Sequence, residues 1–378
     1  MKSFLKSLII VLILCFTNQN LFSKSDKKEP ADKKTSQTSN ENSPSKIALN
    51  TIVSHLKNSD SDVKAYAIEA LSKTHNSKLI PIIKKYLDDP SKYVQISAVK
   101  AMWELGEVKY VSKLADIIND TPKENIYKND PLTQIKIISQ NKIREKAIEA
   151  MVDLSGIKAS KFLLELKEND NFPQIRDVAS RELAKIGFKD ELTNFYQALN
   201  SNDEEIRNQA AQDLIRICPD EAGEILIAIK KEKSIRVKIL MIESLKCAKL
   251  NSKDEEDVIK FIDDENQTIR YKAIFILVNS NSQKVLEKLK KVYEDTPDMN
   301  IKLIVAKKLL KENLIKIEQS DVEYFNSIND SEVKRNFIGI SSYIPELSLN
   351  YLINYLNDSN PYVQIDSAIQ IIQMEKKK

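Results

Sequence analysis

The groups that most often carry acid–base, nucleophilic or metal chemistry are scarce in this chain, which has two histidines and three cysteines among 378 residues. His55 falls within a first-helix pattern and His75 in a turn, so neither a Ser-His-Asp arrangement nor a multi-histidine metal site can be assembled. No glycine-rich phosphate loop is present, and five glycines in all argue against dinucleotide loops. Carboxylates are plentiful but lie on polar helix faces, where nothing singles out an acid–base pair. The expectation is a non-enzyme with no catalytic residues, no cofactor and no metal. Lys and Arg total 58 against 55 Asp and Glu, a net charge of +3, which supplies no field for nucleic acid.

The elements that carry the remaining candidates start with a leader. Lys2 and Lys6 form a basic n-region, Ser7 to Phe16 an apolar h-region, and Leu21-Phe22-Ser23 offers a small residue for cleavage, the pattern of a signal peptide over 1–23. Cys15 after Leu12-Ile13-Leu14 faintly resembles a lipobox, so lipid anchoring at Cys15 is the lesser alternative. Membrane association is expected only with that lipidation or with an uncleaved leader. Residues 24–46 are polar and charged and read as a disordered linker.

From Ile47 onward the sequence repeats itself. A β-branched residue followed by a basic or amide residue recurs at Val63, Val94, Ile143, Ile175, Ile206, Val237, Ile269, Ile301, Val333 and Val363, with steps of 31, 49, 32, 31, 31, 32, 32, 32 and 30 residues. Each unit reads as two helices. In the first, Val63, Ala67, Ala70 and Leu71 share one face of the second helix at amphipathic spacing. Asp60, Asp89, Asp203, Asp264 and Asp330 supply caps, and Pro90 and Pro361 fit helix starts. Such a small unit cannot bury its apolar face alone, so neighbours must stack.

Asp-Ser-Asp-Val63-Lys64-Ala-Tyr-Ala67-Ile-Glu-Ala70-Leu71 and Gln-Ile175-Arg176-Asp-Val-Ala179-Ser-Arg-Glu-Leu183 resemble HEAT repeats, in particular the short type of the phycobilisome-lyase class. The resemblance spans about residues 47–375 and implies an all-α, right-handed α-solenoid of about ten stacked repeats, with a curved face lined by second helices that holds a partner. Repeats six to nine replace small residues with Met241, Val305 and Phe337, which predicts looser helix spacing there.

Within this frame the basic residues Lys64, Arg144, Arg176, Arg207, Lys238, Arg270, Lys302 and Lys334 form a ladder. It reads as structural, pairing with turn carboxylates such as Asp62, Asp170, Glu205 and Glu332. On the outward face of the second helices, repeat seven places Tyr271, Phe275 and Val278, flanked by Ile239, Leu303 and Leu310, with a smaller version at Ile96 and Trp103. Such an apolar stripe is a candidate partner groove, or is buried between neighbouring helices. The insertion, about 119–142, reads as a loop from Thr121 to Asn129 and a third second-helix lengthened by about two turns, with Ile135, Ile138 and Ile143 continuing its apolar stripe. In the last repeat Ile365, Ile369 and Ile372 are apolar where a polar cap is expected, which predicts packing on repeat nine or contact with a partner or second copy. Cys218 and Cys247 fall late in second helices of neighbouring repeats, about 10 Å apart by ordinary helix packing and beyond an unstrained bridge, so two free packed thiols are expected.

These readings converge on an exported, periplasmic scaffold that binds a protein or peptide, not nucleic acid, on its concave face. The alternatives are a lyase-like accessory protein holding a small apolar cofactor and a structural spacer in the cell envelope.

Overall fold

The computed structural model describes residues 43–123 and 130–376. The segment expected to be a signal peptide, with Cys15, most of the expected linker and part of the loop 121–129 lie outside the described residues. The described chain is an α-solenoid whose helices pair in order. The first four units are α1 (Pro44–His55) with α2 (Ser61–Ser72), α3 (Ile80–Lys84) with α4 (Lys92–Glu104), α5 (Ser112–Asn119) with α6 (Pro131–Ser155), and α7 (Ser160–Asn169) with α8 (Pro173–Lys185). Next come α9 (Lys189–Ala198) with α10 (Glu204–Ile217), α11 (Gly223–Lys231) with α12 (Ile235–Ser244), and α13 (Ser252–Ile259) with α14 (Gln267–Leu277). The last three are α15 (Gln283–Asp295) with α16 (Met299–Lys311), α17 (Gln319–Ser327) with α18 (Ser331–Ile340), and α19 (Pro345–Tyr355) with α20 (Pro361–Lys376).

Local chemistry explains the boundaries. Asp60, Asp203 and Asp330 cap α2, α10 and α18 by accepting backbone N–H groups two residues on, which satisfies orphan amides of the first turn. At α14 the cap is Asn266, with Asp264 accepting the Asn266 N–H 2.9 Å away. Pro361 starts α20, whereas Pro90 lies before Ser91, the residue that precedes α4. The first helix begins at Pro44 behind a Ser43 cap, three residues before Ile47. In α2 the face formed by Val63, Ala67, Ala70 and Leu71 is buried. Met241, Val305 and Phe337 are fully buried too, so the larger side chains fill the space between their helices.

The described residues divide into two compact units, those up to 162 together with those from 352 onward, and residues 163–351. In the first unit the last helix, α20, packs on α1 and α2. Its Ile365 and Ile372 are buried and Ile369 half-buried, so the apolar positions that lacked a cap are covered by the first repeat of the same chain. Polar contacts reinforce that seam. His55 Nε2 lies 2.8 Å from Gln364 Oε1, Tyr66 Oη donates to Asp366, Ser45 to Glu375, and Lys376 Nζ to the Thr74 carbonyl. The rings of Tyr66 and Tyr362 meet edge to face at 5.2 Å.

The lengthened α6 forms as expected, with Asp130 as cap and Pro131 in its first turn. Its stripe is turned the other way. Ile135 and Ile138 are exposed with Leu132, Ile143 is half-buried, and Thr133, Ile137 and Asn141 face inward. The inward register is set by Arg144, which is buried and donates from Nε to the Ile118 carbonyl (2.7 Å) and from Nη1 to Asn141 Oδ1 (3.0 Å).

The second unit stacks second helices α10, α12, α14, α16 and α18 in succession. Here the free-thiol expectation fails: Cys218 and Cys247 form a disulfide with Cα atoms 5.3 Å apart. The helix-packing distance applies to helix bodies, but both cysteines have left theirs. Cys218 is a left-handed cap residue after α10 (φ 59°), and Cys247 closes a 3-10 turn after α12. The two chain segments converge further on, where the Lys249 N–H donates to the Asp220 carbonyl at 2.8 Å.

A candidate partner-binding cavity

The basic ladder is a structural device of the turns. Arg176, Arg207 and Arg270 each donate to the carbonyl six residues earlier, at 2.7–2.9 Å, and Gln95 does the same at 2.6 Å. These bonds close the turn between the paired helices. The charged ends also reach forward to the next repeat: Lys64 to Asp89 (3.0 Å), Arg207 to Glu232 (2.8 Å) and Lys238 to Asp264 (3.6 Å). Lys302 lies over the Tyr293 ring and Lys334 bonds Asn329. Of the acids named from sequence, Asp170 accepts from the ladder residue Arg176, through its backbone carbonyl. The side-chain partners are Asp89, Glu232 and Asp264 of the following turn, because the rung points along the stack. Arg144 is no rung of this kind, since it is buried against Ile118 and Asn141.

Burial and ion pairing act together on Glu232. Burial alone would raise its carboxyl, but hydrogen bonds from Arg207 and from the Ser234 amide hold it below the ordinary value. Tyr271, at the start of the candidate stripe, has its phenol pushed up by burial and then by the charges of Glu332 and Asp298.

The stripe itself divides. Leu303, Leu310 and Ile96 are buried; Ile239, Tyr271, Val278 and Trp103 are half-buried; Phe275 is 46% exposed. Ile239, Tyr271 and Val278 pack against the core of the second unit. What remains open is a cavity of about 530 Å³ over α14, α16 and α18, with Phe275, Val278, Leu303 and Ile304 among its apolar lining residues. Tyr343, 40% exposed after α18, contributes to the lining. The remaining lining residues include Lys307, Lys308, Lys311 and Arg335 with the amides of Asn279, Asn281 and Asn336, and no carboxylate. Lys308 is buried and held by Asn281 (2.5 Å) and Glu312 (3.0 Å). Lys307 and Lys311, one turn apart on the exposed side of α16, have no ion-pair partner among the described residues.

Lys307, Lys311, Arg335 and Tyr343 are absent from the sequence-derived set. Lys307 stands at the same outward offset in its repeat as Phe275 does in the one before, and Arg335 matches Tyr271. A search of those offsets for apolar residues alone passes over them.

In the first unit a second cavity of about 420 Å³ lies on second helices α2, α4, α6 and α20. Ile96 lines it, Trp103 does not, and its charged lining is mainly acidic, with Asp62, Glu69, Glu149 and Asp153 against Lys100 and Lys146. Among the described residues no group of three or more His, Cys, Asp or Glu is placed to hold a metal, and no described helix is long and apolar enough to cross a membrane.

No curated protein matches the chain by sequence. Two solved structures of Kap121p are similar, one bound to Nup53p and one of a mutant, each at 14% identity, with TM-scores of 0.33 and 0.31. They cover 85% and 86% of this chain, which spans only 40% and 41% of theirs. Residues 49–127 match the family model for HEAT repeats, which identifies the opening repeats of this solenoid as HEAT repeats.

Proposed function

We propose that the chain is a non-catalytic, exported HEAT-repeat scaffold that binds a protein or peptide partner on the face of its second helices, through the cavity over α14, α16 and α18. The carrying observation is Phe275, a large aromatic left 46% exposed in the lining of a cavity that also includes Val278, Leu303 and Ile304. Aromatic groups in such settings dominate partner energetics because their area is desolvated with few rotors to freeze. The repeat match over 49–127 supports a scaffold, since stacked repeats offer extended surfaces. Export is supported by the basic and apolar leader pattern and by the Cys218–Cys247 disulfide, a bond that persists in oxidising compartments.

The test is affinity capture from the native envelope with wild type and Phe275→Ser side by side, with bound proteins identified by mass spectrometry. Phe275 is chosen over Tyr271 because Tyr271 packs against the core. A protein retained by wild type and lost by the variant, with unchanged thermal unfolding, is the expected result. Identical retention by both would refute the assignment of this cavity.

A further inference from the structure

We infer that the occupant of this cavity is an acidic peptide segment carrying an aromatic or aliphatic anchor side chain. The inference rests on the scaffold reading and adds the chemistry of the ligand. Four cationic side chains line the cavity with no carboxylate among them, in a chain whose net charge is only +3. Some exposed lysines of the second unit are matched, as Lys230 with Asp257, Lys284 with Glu256 and Lys288 with Asp263, at 2.6–2.8 Å. Lys307 and Lys311 differ from those in lying together in the cavity lining, with an exposed Phe275 and without a carboxylate partner among the described residues. Gly339 keeps one of them accessible: the first side-chain carbon at that position would stand 3.8 Å from Lys307 Nζ, so any larger group there would lie over the ammonium. Like-signed charges gathered around an apolar lining favour a ligand of opposite sign that also brings apolar area.

The amides decide for a peptide over a free amphiphile. Asn336 spends one N–H on Asn300 (2.8 Å), and Asn281 spends its oxygen on Lys308 (2.5 Å). Their remaining donors and acceptors, with those of Asn279, match a peptide backbone, whereas an alkyl chain would leave them unsatisfied. An extended peptide advances roughly 3.3 Å per residue, and packed helices stand roughly 10 Å apart. An anchor over Phe275 on α14 therefore brings a carboxylate about three residues away to Lys307 and Lys311 on α16.

The experiment is fluorescence anisotropy of the folded chain with a labelled peptide, Glu-Glu-Asp-Phe-Leu-Glu-Asp-Glu. The comparison probes are its charge-reversed Lys/Arg version, a version with Ser-Ser for Phe-Leu, and dodecanoate. The expected result is binding of the first probe, weakened roughly tenfold or more in each comparison peptide and by added salt. Two variants, Lys307→Glu with Lys311→Glu, and Gly339→Glu, which sets a carboxylate over Lys307, should each weaken it by a similar factor. Lys73→Glu with Lys84→Glu, equal in charge change but far along the sequence, should leave it within about twofold. Circular dichroism confirms that each variant is folded. Equal binding of the basic peptide, no binding of any peptide, or tighter binding of dodecanoate than of the acidic peptide would overturn the inference. A partner captured from the envelope that is lost with Phe275→Ser but kept with Lys307→Glu and Lys311→Glu would overturn the acidic ligand and leave the scaffold standing.

Discussion

Two cavities lie on second-helix faces, one in each compact unit, and they handle charge in opposite ways. In the first unit the lining is mainly acidic and two of its acids are held from within: Glu149 pairs with Lys146 at 2.6 Å and Glu69 accepts from Ser97 at 2.9 Å. In the second unit the lining is cationic, and Lys307 and Lys311 find no carboxylate among the described residues. The lesson is that a charged cavity on a repeat surface is not by itself a binding site. Cations gathered without carboxylate partners around an exposed aromatic make the second unit's cavity the candidate of the two.

Several substitutions sharpen or break that contrast. The largest effect is expected from removing α20, residues 361–378, because Ala48 and Ile52 of α1 are fully buried in a unit to which α20 contributes Val363, Ile365, Ala368 and Ile371. Loss of even one such buried side chain, as in Ile371→Ala, costs about 2–5 kcal/mol. The truncation should therefore unfold the first unit in a thermal melt, and an unaltered melt would show that the seam is incidental.

Reduction of the Cys218–Cys247 bond comes next. The cysteines are 29 residues apart in sequence, and closing a loop of that size contributes about 3–4 kcal/mol through the unfolded chain. Denaturant melts with and without a thiol reductant should differ by that order in the second unit alone.

Glu232→Gln removes the charge that Arg207 and the Ser234 amide hold. The expected loss near neutral pH is about 1–3 kcal/mol. Since the carboxyl lies below its ordinary value of 4.5 in the folded chain, its contribution is present above that value and fades as pH falls through the lowered one. Urea melts at neutral and acid pH should therefore show the variant's deficit shrinking as the solution is acidified. A constant deficit would assign it to packing instead.

The smallest stability effect is expected at the candidate cavity. Phe275→Ser should cost under about 1 kcal/mol, given how much of the ring is already in water, and a larger loss would place that ring in the core.

Much of the architecture was legible in the sequence. The repeat spacing marks the helix pairs, Asp60, Asp203 and Asp330 cap where their position requires, and Asp130-Pro131 opens the long α6. Three features were not legible, each for a physical reason. Ile365, Ile369 and Ile372 announced that the last helix is covered, but repeat spacing encodes neighbours and not a contact between chain ends. The disulfide depended on where α10 and α12 stop: a left-handed residue and a 3-10 turn bring Cys218 and Cys247 together where helix bodies would hold them apart. The register of α6 is set by the buried guanidinium of Arg144, so Ile135 and Ile138, which looked like core, face outward. At the candidate site Phe275 and Val278 were legible as apolar residues at outward offsets, while Lys307 at the same offset was hidden by a search for hydrophobic groups.

The most direct test of the central claim is photo-crosslinking in the native envelope, with a benzophenone amino acid placed at Tyr343 in the second unit's cavity or at Tyr93 in the first unit's. Adducts to a protein partner from position 343 and none from position 93 are the expected result. Adducts from 93 alone, or none from either, would contradict the account.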